Sequence, residues 1–184
     1  MDPNAAALIA ALSAAPDSLA LGRELERIRR CIADRAMLRA DALETGRLAS
    51  RLYDAFLVRA AELARDGPPT LLDTSGPRSL AVLGSQGRRE QFLATDQDNV
   101  LILGDDADGA AFGDFAARLE RLLAEAGMPP CPKGIMAAAP AWRRTLADWL
   151  AAVDAAAARP DEAAVLFVSL LADLRPVWGE ASLA

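Results

Sequence analysis

The amino-acid sequence predicts an α+β protein, in which an N-terminal helical bundle is followed by a small sheet flanked by helices. Apolar residues recur at every third or fourth position through the first third of the chain, which is typical of amphipathic helices. Two continuous apolar runs follow, each closed by a glycine, and they indicate strands that are covered on both faces. With 184 residues, of which 53% are hydrophobic and 25% charged, the chain is long enough for one domain of ordinary size, or for a domain with a helical appendage.

Residues 1–66 are predicted to be helical nearly throughout. A short amphipathic helix over 5–15 is broken by Pro16-Asp17-Ser18, which also offers caps for the next helix. Asp66-Gly67-Pro68-Pro69 ends the last helix of this region. The apolar residues with helical spacing are best explained as core packing, and they are Leu8, Ile9, Leu12, Leu25, Ile28, Ile32, Leu48, Leu52, Phe56, Ala60 and Leu63.

Residues 70–184 are predicted to form the second part of the chain and to contain the sheet. The two apolar runs predict strands at 79–83 and 98–103, and the loop 84–90 between them leads into a short helix. Phe112, Phe115, Leu119 and Leu122 predict a core-facing helix over 109–126, which Gly127 ends. Residues 128–138 are irregular or hold a short strand around Ile135-Met136. Pro140 is expected in the first turn of a helix that carries Trp142, Leu146, Trp149 and Val153, and Pro160-Asp161 opens a last helix to about Leu174.

The composition excludes several kinds of chemistry. The chain contains no histidine, which removes Ser-His-Asp triads, Cys-His pairs, zinc–histidine sites and imidazole bases. Its formal net charge of −6 repels phosphate backbones, so we expect no binding to nucleic acid. Carboxylates, arginines, hydroxyls or a metal held by oxygen must carry any reaction.

The cysteines and the N-terminal segment indicate a cytoplasmic protein. Cys31 and Cys131 lie far apart and do not form a Cys-x-x-Cys motif, as expected in a reducing compartment. The apolar run over 5–15 is too short for a membrane span and no basic residue precedes it. We therefore expect no membrane association. The N-terminal helix can pack on its own core or on a second copy of the chain, which leaves a homodimer open.

A glycine-containing turn follows the first predicted strand and is a candidate anion site. Gly84 and Gly87 allow a close backbone approach to a phosphate, and the Ser85 hydroxyl can donate a further hydrogen bond. Arg88 and Arg89 follow directly, in a protein that is otherwise acidic. Taken alone, a Gly-Ser-x-Gly motif is weak evidence for phosphate binding.

Two aspartates at the start of the second strand are candidate metal ligands. Asp96 and Asp98 are two residues apart, so in an extended segment both side chains lie on one face. Their charges repel unless a cation lies between them, and Mg²⁺ prefers one or two carboxylates together with substrate phosphates. An isolated Asp-x-Asp more often caps a turn or faces solvent, but a phosphate turn about ten residues earlier favours nucleotidyl transfer.

This combination resembles the nucleotidyltransferase domain of bacterial signal-transduction proteins that is found with cyclic-nucleotide-binding and CBS modules. That domain is similar to the catalytic domain of protein-PII uridylyltransferase, in the DNA polymerase β-type superfamily. The resemblance covers residues 70–184, while the helical first third fits in general character only. It is carried by Leu83-Gly84-Ser85-Gln86-Gly87-Arg88-Arg89-Glu90-Gln91, Thr95-Asp96-Gln97-Asp98-Asn99, Cys131-Pro132-Lys133-Gly134-Ile135-Met136-Ala137, Trp142 and Asp173-Leu174-Arg175-Pro176-Val177-Trp178-Gly179.

The resemblance implies a small mixed sheet flanked by helices, with Mg²⁺ bound by Asp96 and Asp98. A nucleoside triphosphate would be held at Gly84 and Ser85 and steadied by Arg88. Glu90 is expected to hold an arginine or to cap the helix rather than to contact substrate. A hydroxyl of a protein or small regulatory acceptor would attack the α-phosphate and release pyrophosphate, with a carboxylate taking the proton.

The chain departs from active relatives at one position. Those relatives supply a third carboxylate from a later strand, and residues 132–136 contain no acid. Asp173 is a possible catalytic substitute, although an ion pair with Arg175 or a helix cap explains it more simply. Lys133 can instead reach the phosphates, which favours binding over turnover. A transferase and a catalytically silent nucleotide-sensing module therefore both remain open, and the acceptor is undetermined.

Overall fold

A computed structural model describes residues 3–67, 76–93, 95–107 and 109–184 and confirms the predicted α+β fold. The helices are α1 (Pro3–Ser13), α2 (Ser18–Met37), α3 (Ala42–Arg65), α4 (Gly84–Gly87), α5 (Gly109–Glu125), α6 (Leu146–Ala158) and α7 (Glu162–Ala172). The strands are β1 (Arg78–Val82), β2 (Asn99–Leu103), β3 (Arg143–Thr145) and β4 (Arg175–Gly179), in the spatial order β3-β2-β1-β4. The sheet is mixed, because β1 is antiparallel to β2 and β4 whereas β3 is parallel to β2.

The N-terminal helices begin and end where capping residues place them. The Asp17 side chain accepts a hydrogen bond from the Ala20 N–H at the start of α2, and Asp41 does the same for Glu44 at the start of α3. The predicted apolar positions of α2 and α3 belong to one core, where all of them are buried except Leu63, which is partly buried. Helix α1 packs on α3 within the chain, where Leu8 and Leu12 are buried.

The sheet separates two hydrophobic clusters, which explains why β1 and β2 are apolar at successive positions. Leu80, Val82, Leu101 and Leu103 belong to the cluster that contains the core residues of α1, α2, α3 and α5. Their neighbours in sequence belong to a second cluster around Trp149 of α6, and they are Ala81, Leu83, Val100 and Ile102. Because both faces of the sheet are covered, every side chain of β2 and every side chain of β1 except that of Arg78 is buried, in agreement with the two predicted strands.

The larger cluster contains residues from both predicted parts of the chain. It contains core residues from 5–64 and from 80–137, so the helices of the first third pack directly on the sheet. The boundary predicted between 66 and 70 lies partly outside the described residues, as do Pro68 and Pro69 of the predicted helix stop. The division into 1–66 and 70–184 stays a prediction. Within the described ranges, no helix combines the length and apolar character that a membrane span needs.

Near the C-terminus, one predicted helix is wrong, the last predicted helix is confirmed as α7, and the strand after it was not predicted. The single helix expected from Pro140 is a 3-10 turn over Pro140–Trp142, then β3, then α6. Pairing with β2 holds β3 extended, and the Thr145 hydroxyl caps α6 by accepting from the Asp148 N–H at 3.1 Å. The last helix ends at Ala172, and the residues after it return as β4 on the edge of the sheet.

Candidate active site around Asp96 and Asp98

The turn after β1 lies directly beside the first residues of β2. The Leu83 N–H donates to the Asp98 carbonyl oxygen at 3.2 Å, which extends the pairing of β1 and β2 by one residue. Gly84 then turns the chain into α4 with a φ of +55°, in the left-handed region that favours glycine. A side chain on Gly84 would begin 3.7 Å from Asp98 Oδ2, so its absence leaves space in front of this carboxylate.

The carboxylates of Asp96 and Asp98 come together as predicted, and a thiol joins them. Ligand atoms of Asp96, Asp98 and Cys131 all lie within 4.8 Å of one another. Burial raises the pKa of the Asp96 carboxyl, and the nearby charge of Asp98 raises it further. Both effects penalise the two charges in the absence of a cation, and a divalent cation between the oxygens would remove the penalty. The residues present therefore fit a metal ion.

Residues that alternate with the aspartates fix the neighbouring segment 128–137. Gln97 Nε2 donates to the Met128 carbonyl oxygen at 2.9 Å, and its backbone N–H donates to Pro129 at 3.1 Å. The Asn99 N–H donates to the Ile135 carbonyl oxygen at 3.2 Å, and Asn99 Oδ1 accepts from the Ala137 N–H at 3.0 Å. These amides hold the segment that carries Cys131 beside the aspartates.

A small cavity lies between the turn and the carboxylates. Its volume is about 20 Å³, which is enough for one water molecule or a bare cation but not for a nucleotide. The lining residues are Leu83, Ser85, Gln86, Gln91, Thr95, Asp96 and Asp98. Two buried polar atoms of this lining, Gln86 Nε2 and Gln91 Oε1, have no hydrogen-bond partner among the residues that the structure describes. Such atoms are costly unless a ligand or water satisfies them.

A larger pocket of about 420 Å³ adjoins this cavity and shares Thr95 and Asp96 with it. Arg29 of α2, Leu93 and Pro129 complete its lining. Its volume is in the range of small-molecule sites.

Helix α4 is clamped from its far side by Arg175 of β4. The guanidinium donates to the carbonyl oxygens of Gln86 at 2.9 Å and Gly87 at 3.2 Å. It also forms two 2.8 Å hydrogen bonds to the carboxylate of Asp54 in α3. The sequence-based pairing of Arg175 with Asp173 is therefore wrong. Since α4 spans only four residues, this clamp supplies the order that a longer helix would provide for itself.

Gly87 is required for close packing rather than for an open approach. A side chain on Gly87 would begin 1.9 Å from the Asp173 carbonyl oxygen, which is closer than atoms can come. Its N–H is also in use, because it donates to the Leu83 carbonyl oxygen at 3.1 Å. A contact between Gly87 and a phosphate stays a prediction.

The structure places Asp173 with Arg88 instead of with the aspartate pair. Asp173 is the C-cap residue of α7, and its carboxylate accepts a hydrogen bond from Arg88. Arg88 also donates to Glu90 at 2.9 Å, which confirms the expectation that Glu90 holds an arginine. Within the described part of the chain, the group of three that could hold a metal does not include Asp173.

A comparison with models of protein families shows the family to which the chain belongs. Residues 26–163 match the model of the family described as "Putative nucleotidyltransferase DUF294". The chain belongs to this nucleotidyltransferase family. The match begins inside α2 and continues into α7, so it includes the turn, both aspartates and Cys131. No curated protein matches the chain.

The remaining predicted residues of this nucleotidyltransferase-family domain lie at its surface. Ser85 is exposed at the mouth of the small cavity, and Lys133 is exposed in the turn after Cys131. The sequence did not single out Gln86, Gln91, Gln97 and Asn99, although the last two occupy the alternate positions beside the aspartates. Cys131 contributed to the family resemblance but was not predicted as a site residue, since it is more than thirty residues from Asp98 in the chain.

Proposed function

We propose that the protein is a Mg²⁺-dependent nucleotidyltransferase that transfers a nucleoside monophosphate from a nucleoside triphosphate to a hydroxyl group. The acceptor is a protein or a small regulatory molecule of a signalling system. The observation that carries this proposal is the Asp96–Asp98 pair beside the open backbone of Gly84. Two carboxylates beside a backbone without a side chain suit a cation that also binds substrate phosphates.

Each side of the cavity has its own part in binding. Asp96 and Asp98 hold Mg²⁺, which supplies charge neutralisation at the α-phosphate when it is bound. Gly84 and Ser85 bind the β- and γ-phosphates through backbone N–H groups and the hydroxyl. Gln86 Nε2, buried and without a partner, donates to a phosphate oxygen. The nucleoside extends into the adjoining 420 Å³ pocket.

The reaction needs orientation more than covalent participation by the protein. The acceptor oxygen forms a bond to the α-phosphorus while the bond to pyrophosphate breaks, and the hydroxyl proton passes to a carboxylate. The buried amides Gln97 and Asn99 keep the aspartates and the segment 128–137 in fixed relative positions. Positioned hydrogen-bond donors, and a cation that the carboxylates would hold, stabilise the negative charge that develops on the phosphate oxygens.

The double variant Asp96→Asn with Asp98→Asn tests the metal assignment. It should abolish Mg²⁺-dependent binding of nucleoside triphosphates in calorimetric titration, because both carboxylate ligands become neutral amides. The matched control is Asp114→Asn with Asp154→Asn, which makes the same change of charge at exposed sites on α5 and α6. Binding of Mg²⁺–ATP by the site variant with wild-type affinity would falsify the assignment.

A pyrophosphate assay on the nucleotide that binds separates the two functional classes. Slow release of pyrophosphate that needs both Mg²⁺ and the two aspartates is expected for a transferase without its acceptor. Tight binding without release by wild type would instead identify a nucleotide-sensing module, the alternative that the missing third carboxylate suggests.

Arg88→Ala tests the orientation of the triphosphate. If Arg88 exchanges its carboxylate partners for the γ-phosphate, the variant should lose roughly tenfold more affinity for triphosphate than for monophosphate. Arg89→Ala provides the neighbouring control with the same loss of charge. Equal losses for both nucleotides would remove Arg88 from the γ-phosphate end.

A further inference from the structure

Cys131 lies beside the aspartate pair, and it has no role in the proposed reaction. Its sulfur lies within 4.8 Å of carboxylate oxygens of Asp96 and Asp98, and the thiol donates a hydrogen bond to Asp98. The residue is buried, with 6% of its surface exposed. A thiol in this position faces the same space that a cation would occupy.

The backbone around Cys131 is arranged to hold the sulfur in place. The Gly134 N–H donates to the Cys131 carbonyl oxygen at 2.9 Å and closes a tight turn. Backbone N–H groups of Ile135 and Lys133 also donate to the sulfur. These contacts keep the sulfur beside the two carboxylates.

The small cavity that Asp96 and Asp98 line provides separate evidence for a ligand beside the two carboxylates. Gln86 Nε2 and Gln91 Oε1 are buried, line the cavity beside the carboxylates and have no partner. Gln86 and Gln91 are only 3% and 4% exposed. One metal-bound water, which this cavity is large enough to hold, can accept from the open donor and donate to the open acceptor.

We propose that Cys131 is a third metal ligand, and that Asp96, Asp98 and Cys131 bind a thiophilic divalent cation of the zinc class in competition with Mg²⁺. Two carboxylate oxygens and one thiolate leave a fourth position open, as in sites that bind zinc together with water or substrate. Zinc bonds of about 2.0–2.3 Å at tetrahedral angles place ligand atoms about 3.3–3.8 Å apart, so ligand atoms that now lie within 4.8 Å of one another would move together by about 1 Å when the cation binds. Zinc would then regulate the proposed transferase by excluding the Mg²⁺–nucleotide complex.

Cadmium is the probe of choice, because its thiolate complexes absorb in the near ultraviolet. Titration of the full chain with Cd²⁺ should produce a charge-transfer band that Zn²⁺ removes by competition. The band should persist in Cys31→Ser, since that cysteine lies in α2 outside the site, and disappear in Cys131→Ser. The double variant Asp96→Asn with Asp98→Asn should bind Cd²⁺ about tenfold or more weakly.

Cys131→Asp adds an expected gain of binding, so that the test does not depend only on the loss of the cadmium band. It supplies a third carboxylate, so it should lose the cadmium band and gain affinity for Mg²⁺ or Mn²⁺ relative to Cys131→Ser. A band that survives in Cys131→Ser, or a wild-type protein without a band, would overturn the proposal.

The metal proposal and the transferase proposal fail separately. The competition with Mg²⁺–nucleotide rests on the proposed function, whereas the cadmium band does not. A Cys131-dependent band without nucleotide binding keeps the metal site and rejects the transferase. Aspartate-dependent Mg²⁺–nucleotide binding without a band keeps the transferase and rejects the thiol ligand.

Discussion

Helix α4 and the aspartate pair lie on opposite sides of one small cavity, and they are stabilised in opposite ways. On the α4 side, the carbonyl groups of Gln86 and Gly87 are paired with Arg175, which is itself paired with Asp54. On the other side, Asp96 and Asp98 carry two like charges at close range, and burial raises the pKa of Asp96.

The difference shows which part of the site is complete without a ligand. The backbone of α4 is held by the folded chain alone, so substitutions that disturb its clamp should lower stability. The aspartates are placed for a ligand at a cost in stability, so their removal should raise it. Functional sites often show this conflict between binding and stability.

The largest expected effect is at Gly87, where α4 meets the turn before β4. Gly87→Ala should lower the free energy of unfolding by about 3 kcal/mol, because the new methyl group overlaps the Asp173 carbonyl oxygen. Gly109→Ala is the matched control, since no atom lies within 4 Å of the position that its methyl group would take. Chemical denaturation of both variants checks this, and similar stabilities would show that the turn moves aside freely.

Asp54→Asn should have the next largest effect. Asp54 and Arg175 have side chains that are only 23% and 17% exposed, and loss of the carboxylate leaves the guanidinium without its charge partner. We expect a loss of about 2 kcal/mol. Asp66→Asn breaks the exposed pair with Arg65 and should cost less than about 0.5 kcal/mol. If the two variants lose equal stability, Arg175 does not clamp α4 to α3.

Of these three site variants, Asp96→Asn should change the free energy of unfolding least, and it should raise this free energy rather than lower it. In metal-free protein it should raise the free energy of unfolding by about 1 kcal/mol at neutral pH. The folded state favours protonated Asp96, so wild type gains stability relative to the variant as the pH falls. The higher stability of Asp96→Asn relative to wild type should disappear at a pH low enough to protonate aspartates in the unfolded chain as well. Asp154→Asn, at an exposed position of α6, should show no such pH dependence, and an unstable Asp96→Asn would contradict the repulsion.

The sequence predicted those helices and strands in which the regular spacing of apolar residues itself determines which side chains are buried. Strands β1 and β2 were predicted because both sheet faces are covered, and α2 and α3 because one face of each is apolar. Strand β3 was missed because Arg143, Arg144 and Thr145 have no strand pattern of their own, and only pairing with β2 makes them extended. Strand β4 contains Pro176, which an edge position tolerates but which disguises the strand in the sequence.

The residues of the candidate site also fall into two groups, those that local sequence patterns predict and those that only the tertiary fold brings in. Gly84, Ser85 and the aspartates are separated by short stretches of chain, so their spacing carried the prediction. Cys131 joins them through the contacts of Gln97 and Asn99 with the segment 128–137, and such contacts depend on the tertiary fold. Arg175 and Asp54 are 121 residues apart in sequence, and no local pattern links them.

The alternation of carboxylates and amides at residues 96–99 limits the insertions and deletions that this segment can accept. Carboxylates and amides occupy successive positions, and the amides hold segment 128–137. A deletion or insertion of one residue here would exchange the two sets, turning amides toward the cavity and charges toward buried carbonyl groups. A change of length within residues 96–99 should therefore disrupt the cavity and the anchoring of segment 128–137 at the same time.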